Sequence, residues 1–166
     1  MKQIVDKLKE KNKTISTMES CTGGGVANSI TNIEGASEVL RFSAVTYSNE
    51  YKIKMGVSSD IIDKYSVYSI QTAREMSKNI SEFSNSNYGI GITGKLNRAD
   101  INNLFGSDNT VYISIYDKDN DIYYDYDLLV TQTSREENKK IVIDFIKEKL
   151  LEILWGMYDK EFSITF

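Results

Sequence analysis

Apolar positions recur along this chain with two periods, one helical and one extended, and their alternation predicts a mixed α/β domain. Ile4 and Leu8, with charges between them, mark an amphipathic helix running to about Lys11. Thr14–Met18 is short and rich in β-branched residues, which predicts a buried strand. It leads directly into Glu19-Ser20-Cys21-Thr22-Gly23-Gly24-Gly25, after which Val26, Ala27, Ile30 and Ile33 return at helical spacing. The unit is therefore strand, glycine-rich polar turn, helix. In open α/β sheets such a turn lies at the carboxyl end of a strand, where ligands bind.

Gly35-Ala36-Ser37 ends this helix, Val39–Ser48 reads as a second strand and Asn49–Met55 as a short helix. Ser58 or Ser59 caps a further helical piece to about Lys64. Ser69–Phe83 is a longer helix with Ala73, Met76, Ile80 and Phe83 on one face. Tyr88–Thr93 is a third strand, and Lys95–Asp108 is polar and irregular, a long loop. Thr110–Tyr116 and Ile122–Val130 form an antiparallel hairpin around Lys118-Asp119-Asn120-Asp121. Thr133 or Ser134 caps a last helix, with Glu136 and Glu137 in the first turn and Ile141, Phe145 and Leu151 on its buried face. The expected fold is a three-layer α/β/α sandwich around a mixed, mostly parallel sheet. It forms one domain over residues 1–155, followed by a tail over 156–166 in which Tyr158–Phe166 has no assigned element.

Composition narrows the chemistry sharply. The chain has 166 residues, no histidine and a single cysteine, Cys21. An internal disulfide, a zinc site built from Cys and His, and an imidazole base are all excluded. A lysine, carboxylate or tyrosine must handle protons in any catalysis. The formal net charge of -4 argues against nucleic acid as a partner. No apolar run reaches the ~20 residues of a membrane span, and Met1–Lys13 is too charged for a signal peptide. A cytoplasmic enzyme or binding domain is expected, without metal or cofactor.

Within these bounds the turn after the first strand carries the strongest chemical signal. Ser20 stands among backbone amides at a helix start, able to hold an oxyanion or a phosphate. A tight turn with a capped helix would read the same way. Tyr47 and Lys52 lie across a strand end and a helix start; a partly desolvated lysine becomes a base, and Ser–Lys and Ser–Tyr–Lys sets do nucleophilic catalysis without histidine. Taken alone, the pair reads equally as a packed tyrosine and a solvated lysine. Cys21 is the alternative nucleophile beside Ser20, although a lone cysteine is more often a small packed residue. Glu19 orients neighbours or binds a ligand hydroxyl, and Ser48 and Asn49 fix a turn.

Four segments together resemble the CinA C-terminal domain family, whose members include nicotinamide mononucleotide amidases. Thr17-Met18-Glu19-Ser20-Cys21-Thr22-Gly23-Gly24 matches the family's T-x-E-S-C-T-G-G signature. Gly35-Ala36-Ser37 matches its G-A/S-S element, Val45–Lys52 its V-T-Y-S-N-E-x-K element, and Thr93-Gly94 its later T-G motif. The resemblance implies an oligomeric α/β/α sandwich, a dimer, that hydrolyses the carboxamide of nicotinamide mononucleotide to the carboxylate and ammonia without a metal. It implies Ser20, Tyr47, Lys52, Ser37 and Thr93 as catalytic residues, with Ser37 either a rival nucleophile or a proton relay. It also implies Glu19, Thr22, Gly23, Gly24, Asn49 and Gly94 as substrate-binding residues.

The chain departs from the family pattern beside these motifs. Lys95-Leu96-Asn97-Arg98-Ala99-Asp100 replaces an alanine-glycine-proline turn and glycine-rich loop, and the chain contains no proline at all. Phe42 and Ser43 stand where two glycines are expected, and Ile70 where a glutamate is. Lys95 and Arg98 offer side-chain phosphate contacts in exchange, although a solvated loop is the plainer reading. The leading expectation is an amidase of a pyridine nucleotide. The alternative is a non-catalytic nucleotide- or partner-binding protein with a degenerate substrate loop.

Overall fold

The computed structural model describes residues 1–157, so the expectation for Tyr158–Phe166 lies outside the described residues. In chain order the elements are α1 (Lys2–Glu10), β1 (Ile15–Glu19), α2 (Gly25–Thr31), β2 (Leu40–Val45), α3 (Asn49–Lys54), α4 (Ser59–Tyr65), α5 (Ile70–Ser84), β3 (Tyr88–Gly94), β4 (Thr110–Asp117), β5 (Ile122–Leu129) and α6 (Arg135–Trp155). A single 3-10 turn, Ala36–Glu38, precedes β2. The five strands form one sheet in the order β2-β1-β3-β4-β5. β1 pairs parallel with β2 and β3, whereas the β3–β4 and β4–β5 pairs are antiparallel. β4 thus runs against the other four strands, and the sheet is mixed as expected.

Side-chain alternation assigns the two faces. Ile15 of β1, Ile90 and Ile92 of β3, and Ile113 and Ile115 of β4 join Leu8 of α1, Val26 of α2 and Val142 of α6 in the main core. The opposite face holds a smaller cluster, Met18 with Val57, Met76 and Ile80, under α5. Helices therefore cover both faces, which is the α/β/α sandwich. Parity also places Glu19 on the main-core face, two and four residues on from Thr17 and Ile15, and there it is fully buried.

Strand β2 is shorter than its apolar run. It ends at Val45 because Ser48 leaves the ladder to cap α3, its hydroxyl accepting from the Tyr51 amide at 3.3 Å. Ser69 and Ser134 cap α5 and α6 the same way. The hairpin β4–β5 forms where the turn residues placed it, and 95–108 carries no helix or strand.

β3 lies tight against α5 because its face there is made of glycines. A Cβ on Gly91 would stand 2.1 Å from the Ala73 carbonyl oxygen and 2.6 Å from the Ser77 nitrogen, both backbone atoms of α5. A Cβ on Gly89 would meet the Ser77 carbonyl oxygen at 2.0 Å. Backbone cannot yield as a side-chain tip does, so Gly91→Ala must push α5 off the sheet. It is expected to cost about 1–3 kcal/mol or more, by the usual scale of overpacking. A chemical-denaturation midpoint equal to that of the wild type would contradict this packing.

Candidate active site

The site grows from the carboxyl ends of β1 and β2. The Ser20 amide donates to the Ile92 carbonyl of β3 at 3.1 Å, and the Thr46 amide donates to the Glu19 carbonyl at 2.8 Å. Residues 19–20 are thus held between both neighbouring strands as the chain turns away. In the turn, the Gly23 amide donates to the Ser20 carbonyl at 3.0 Å, and Gly23 and Gly24 take left-handed φ values of 62° and 90°. A side chain at either position would strain the backbone, which explains why glycine stands there.

Glu19 closes the turn from beneath. Its carboxylate accepts from the Thr22 hydroxyl at 2.6 Å, the Thr17 hydroxyl at 3.2 Å, and the Val26 and Ala27 amides at 3.1 and 2.8 Å. It is a buried, fully partnered cap for the first turn of α2. Glu19, Thr22, Gly23 and Gly24 lie behind the cavity rather than in its wall.

Lys52 enters from the other side. α3 begins directly after the β2 end, and its second turn sends Lys52 back under that end, where the side chain is 2% exposed. Its Nζ donates to the Thr46 carbonyl at 2.7 Å and to Ser20 Oγ at 3.1 Å. Burial drives its pKa down from the ordinary 10.5 to about 8, because the charged ammonium loses water. Next door, burial pushes the Cys21 thiol up to about 12, so it carries no thiolate at neutral pH. The hydroxyl of Ser20, not the thiol, accepts from the Lys52 amine.

Tyr47 turns the opposite way. It is 64% exposed, and its hydroxyl accepts from Arg135 Nη2 at 3.2 Å. Both Ser20 and Tyr47 line a cavity of about 600 Å³, together with Cys21, Lys52, Asn49 and Gly94. Asn49 donates to the Asn103 side-chain oxygen at 3.1 Å. Thr93 is buried, and its hydroxyl donates to the Val67 carbonyl at 2.9 Å. It acts on the segment that carries Val67 and Tyr68 into the cavity wall.

Ser37 stands apart. It is exposed, in the 3-10 turn that precedes β2, and so at the amino end of a strand running parallel to β1. Ser20 comes just after the carboxyl end of β1, so within one chain the two serines occupy opposite edges of the sheet.

The sequence reading missed Arg135, Tyr68 and Asp100, which also line the cavity. A signal for Arg135 existed. The hairpin returns β5 to the orientation of β1, so the start of the next helix must lie at the same sheet edge as Ser20. Lys95, expected in a solvated loop or as a phosphate contact, is 4% exposed, and its ammonium pairs with Asp108 at 2.9 Å.

The profile of the CinA C-terminal domain matches residues 1–154. The chain belongs to the CinA C-terminal domain family. A CinA-like protein of Flavobacterium psychrophilum is 41% identical over 111 residues, 65% of this chain and 26% of that protein. A putative competence-damage inducible protein of Clostridium beijerinckii is 50% identical over 86 residues, 51% of this chain and 21% of that one. The chain therefore spans 21–26% of the length of these curated relatives. The solved structure of the competence/damage inducible protein CihA from Agrobacterium tumefaciens is similar at a TM-score of 0.80 and 26% identity, over 90% of each chain. A CinA superfamily protein from Klebsiella pneumoniae reaches a TM-score of 0.85 at 20% identity, over 93% of this chain and 95% of that one, a likeness of fold. Among the described residues of this CinA-family chain, no helix is long and apolar enough to cross a membrane.

The lowered pKa of Lys52 ties the site to stability. Unfolded, the amine holds its proton up to about 10.5; folded, it releases it near 8. Folding is therefore penalised below about 8, and the penalty fades as pH rises towards 10.5. Its size is on the order of 3 kcal/mol. Lys52→Met removes that pH dependence along with the hydrogen bonds to Thr46 and Ser20. Between pH 7.5 and 10.5, the wild type is expected to gain stability relative to Lys52→Met, read by urea unfolding. Parallel curves would show that the amine is not desolvated.

Proposed function

We propose that this domain is an amidohydrolase that deamidates nicotinamide mononucleotide, or a related pyridine nucleotide, by serine–lysine chemistry. The observation that carries this reading is the contact between Lys52 Nζ and Ser20 Oγ at 3.1 Å, made by an amine whose pKa is held near 8. The nicotinamide substrate comes from the motif resemblance, and the chemistry from the geometry.

In its neutral form Lys52 accepts the Ser20 proton as Oγ attacks the carboxamide carbon. The tetrahedral oxyanion is received by amides of the 20–24 turn. The Gly23 and Gly25 amides are occupied by the Ser20 and Thr22 carbonyls, and the Val26 and Ala27 amides by Glu19. The Cys21 amide, beside Ser20 in the cavity wall, is left for this task. Collapse of the intermediate breaks the C–N bond, and the Lys52 ammonium returns its proton to the departing nitrogen, which leaves as ammonia. Water then attacks the Ser20 ester with Lys52 again as base, and the nicotinate nucleotide is released. Tyr47, tethered to Arg135 at the cavity mouth, orients the nucleotide rather than relaying the proton.

Two variants rank these roles. Lys52→Ala is expected to lower turnover by roughly 10²–10⁴-fold, the range for loss of a general base. Tyr47→Phe, which removes one hydrogen bond at an exposed position, is expected to cost about tenfold or less. Because the base works deprotonated, kcat/KM of the wild type should rise with pH through a midpoint near 8. Ammonia and nicotinate mononucleotide are the products to measure. Binding of the nucleotide without turnover would replace this reading with a non-catalytic nucleotide-binding one.

A further inference from the structure

A second cavity, of about 590 Å³, opens beside the first. The two share a wall of Asn49, Val67, Tyr68, Ile101, Asn102 and Asn103. Beyond that wall the chemistry changes. Ile62, Asp63, Lys64 and Tyr65 of α4 line it together with Leu104 and Phe105. Ile101, Leu104 and Phe105 are 85, 75 and 79% exposed, three large apolar side chains held in water within five residues. Exposed apolar groups concentrated beside a pocket mark a contact surface.

The segment that displays them is tied down by polar bonds. The Asp100 carboxylate accepts from the Tyr68 hydroxyl, from the Asn103 side-chain amide at 3.0 Å and from the Asn102 backbone amide at 2.9 Å. The Arg98 amide donates to the Asp108 carbonyl at 3.1 Å, and Asn49 holds Asn103 from the α3 side. The apolar side chains are thus presented by an anchored backbone.

The first cavity is rich in cationic side chains. Arg98 and Arg135 both line the first cavity, and among the described residues neither guanidinium pairs with a carboxylate. Arg135 has only the Tyr47 phenol, and the nearby Asp100 is engaged by Tyr68 and two asparagines. The first cavity thus holds the serine–lysine pair and both guanidiniums, the shared wall mixes three asparagines with Val67, Tyr68 and Ile101, and the second cavity adds Ile62, Tyr65, Leu104 and Phe105 beside Asp63 and Lys64.

We infer that the second cavity is a subsite for the distal ring of an extended pyridine nucleotide, so that the preferred ligand is a dinucleotide rather than a mononucleotide. The inference rests on the amidase reading for the placement of its pyridine end. The carboxamide meets Ser20, the anionic pyrophosphate linker complements Arg98 and Arg135, and the second base stacks against Phe105 and Tyr65. A mononucleotide fills the first cavity alone.

The test pairs binding with turnover. Binding of NAD+ and of nicotinamide mononucleotide to the Ser20→Ala protein is measured by calorimetry, which leaves the ligands intact. The dinucleotide is expected to bind more tightly, and Phe105→Ser in that background to weaken it by roughly fivefold or more, the scale of one lost stacking contact. Mononucleotide affinity should not change. Dinucleotide binding no tighter than that of the mononucleotide, or equal weakening of both by Phe105→Ser, overturns the subsite. Turnover by the wild type then separates the two claims. Selective dinucleotide binding without ammonia release keeps the subsite and removes the amidase. Mononucleotide hydrolysis without dinucleotide binding keeps the amidase and removes the subsite.

Discussion

The site depends on an amine kept out of water. Lys52 is almost wholly buried, and its Nζ reaches only what the ends of β1 and β2 provide, the Ser20 hydroxyl and the Thr46 carbonyl. Those two groups are adjacent because the strands pair in parallel, with Glu19 beside Val45, so that both chains leave the sheet at one edge. Had the strands run antiparallel, residues 20 and 46 would have emerged at opposite ends. The same burial that costs folding energy lowers the proton affinity of the amine towards the range where a base is useful.

The surrounding scaffold keeps that arrangement from relaxing. Glu19 commits both carboxylate oxygens to the glycine turn and to the first amides of α2, so Ser20 cannot drift with a loose loop. On the opposite face, Gly89 and Gly91 bring the α5 backbone into contact with β3, the strand whose Ile92 carbonyl holds the Ser20 amide. Thr93, one residue further, ties the segment before α5 to the cavity wall through Val67. The Ser20–Lys52 pair is thus set by rigid elements, while the loop between β3 and β4 supplies wall residues to both cavities.

Much of this was legible in the residues alone. The β-branched run Thr14–Met18 and the glycines after it specify a strand and a turn by local rules, and the return of helical spacing at Val26 specifies the helix behind them. Lys52 was a candidate proton acceptor because a chain without histidine leaves few others. The features that could not be read depend on direction. Five residues separate Tyr47 from Lys52, yet spacing does not say that Thr46 turns inwards and Tyr47 outwards. Ser37 sits in a motif, but a motif does not name a sheet edge; the parallel pairing of β1 and β2 does. Lys95 and Arg98 look alike in a polar loop and both line the first cavity, and only the fold shows that the lysine is ion-paired with Asp108.

Lys52 is an amine held out of water in contact with Ser20. Its proton affinity can be read directly from the 13C shift of the Lys52 ε-carbon, labelled and followed across the alkaline range by NMR. A midpoint near 8, well below that of the exposed lysines, is the predicted result. A midpoint at the ordinary 10.5 would mean that water reaches the amine and that the pair is no catalyst.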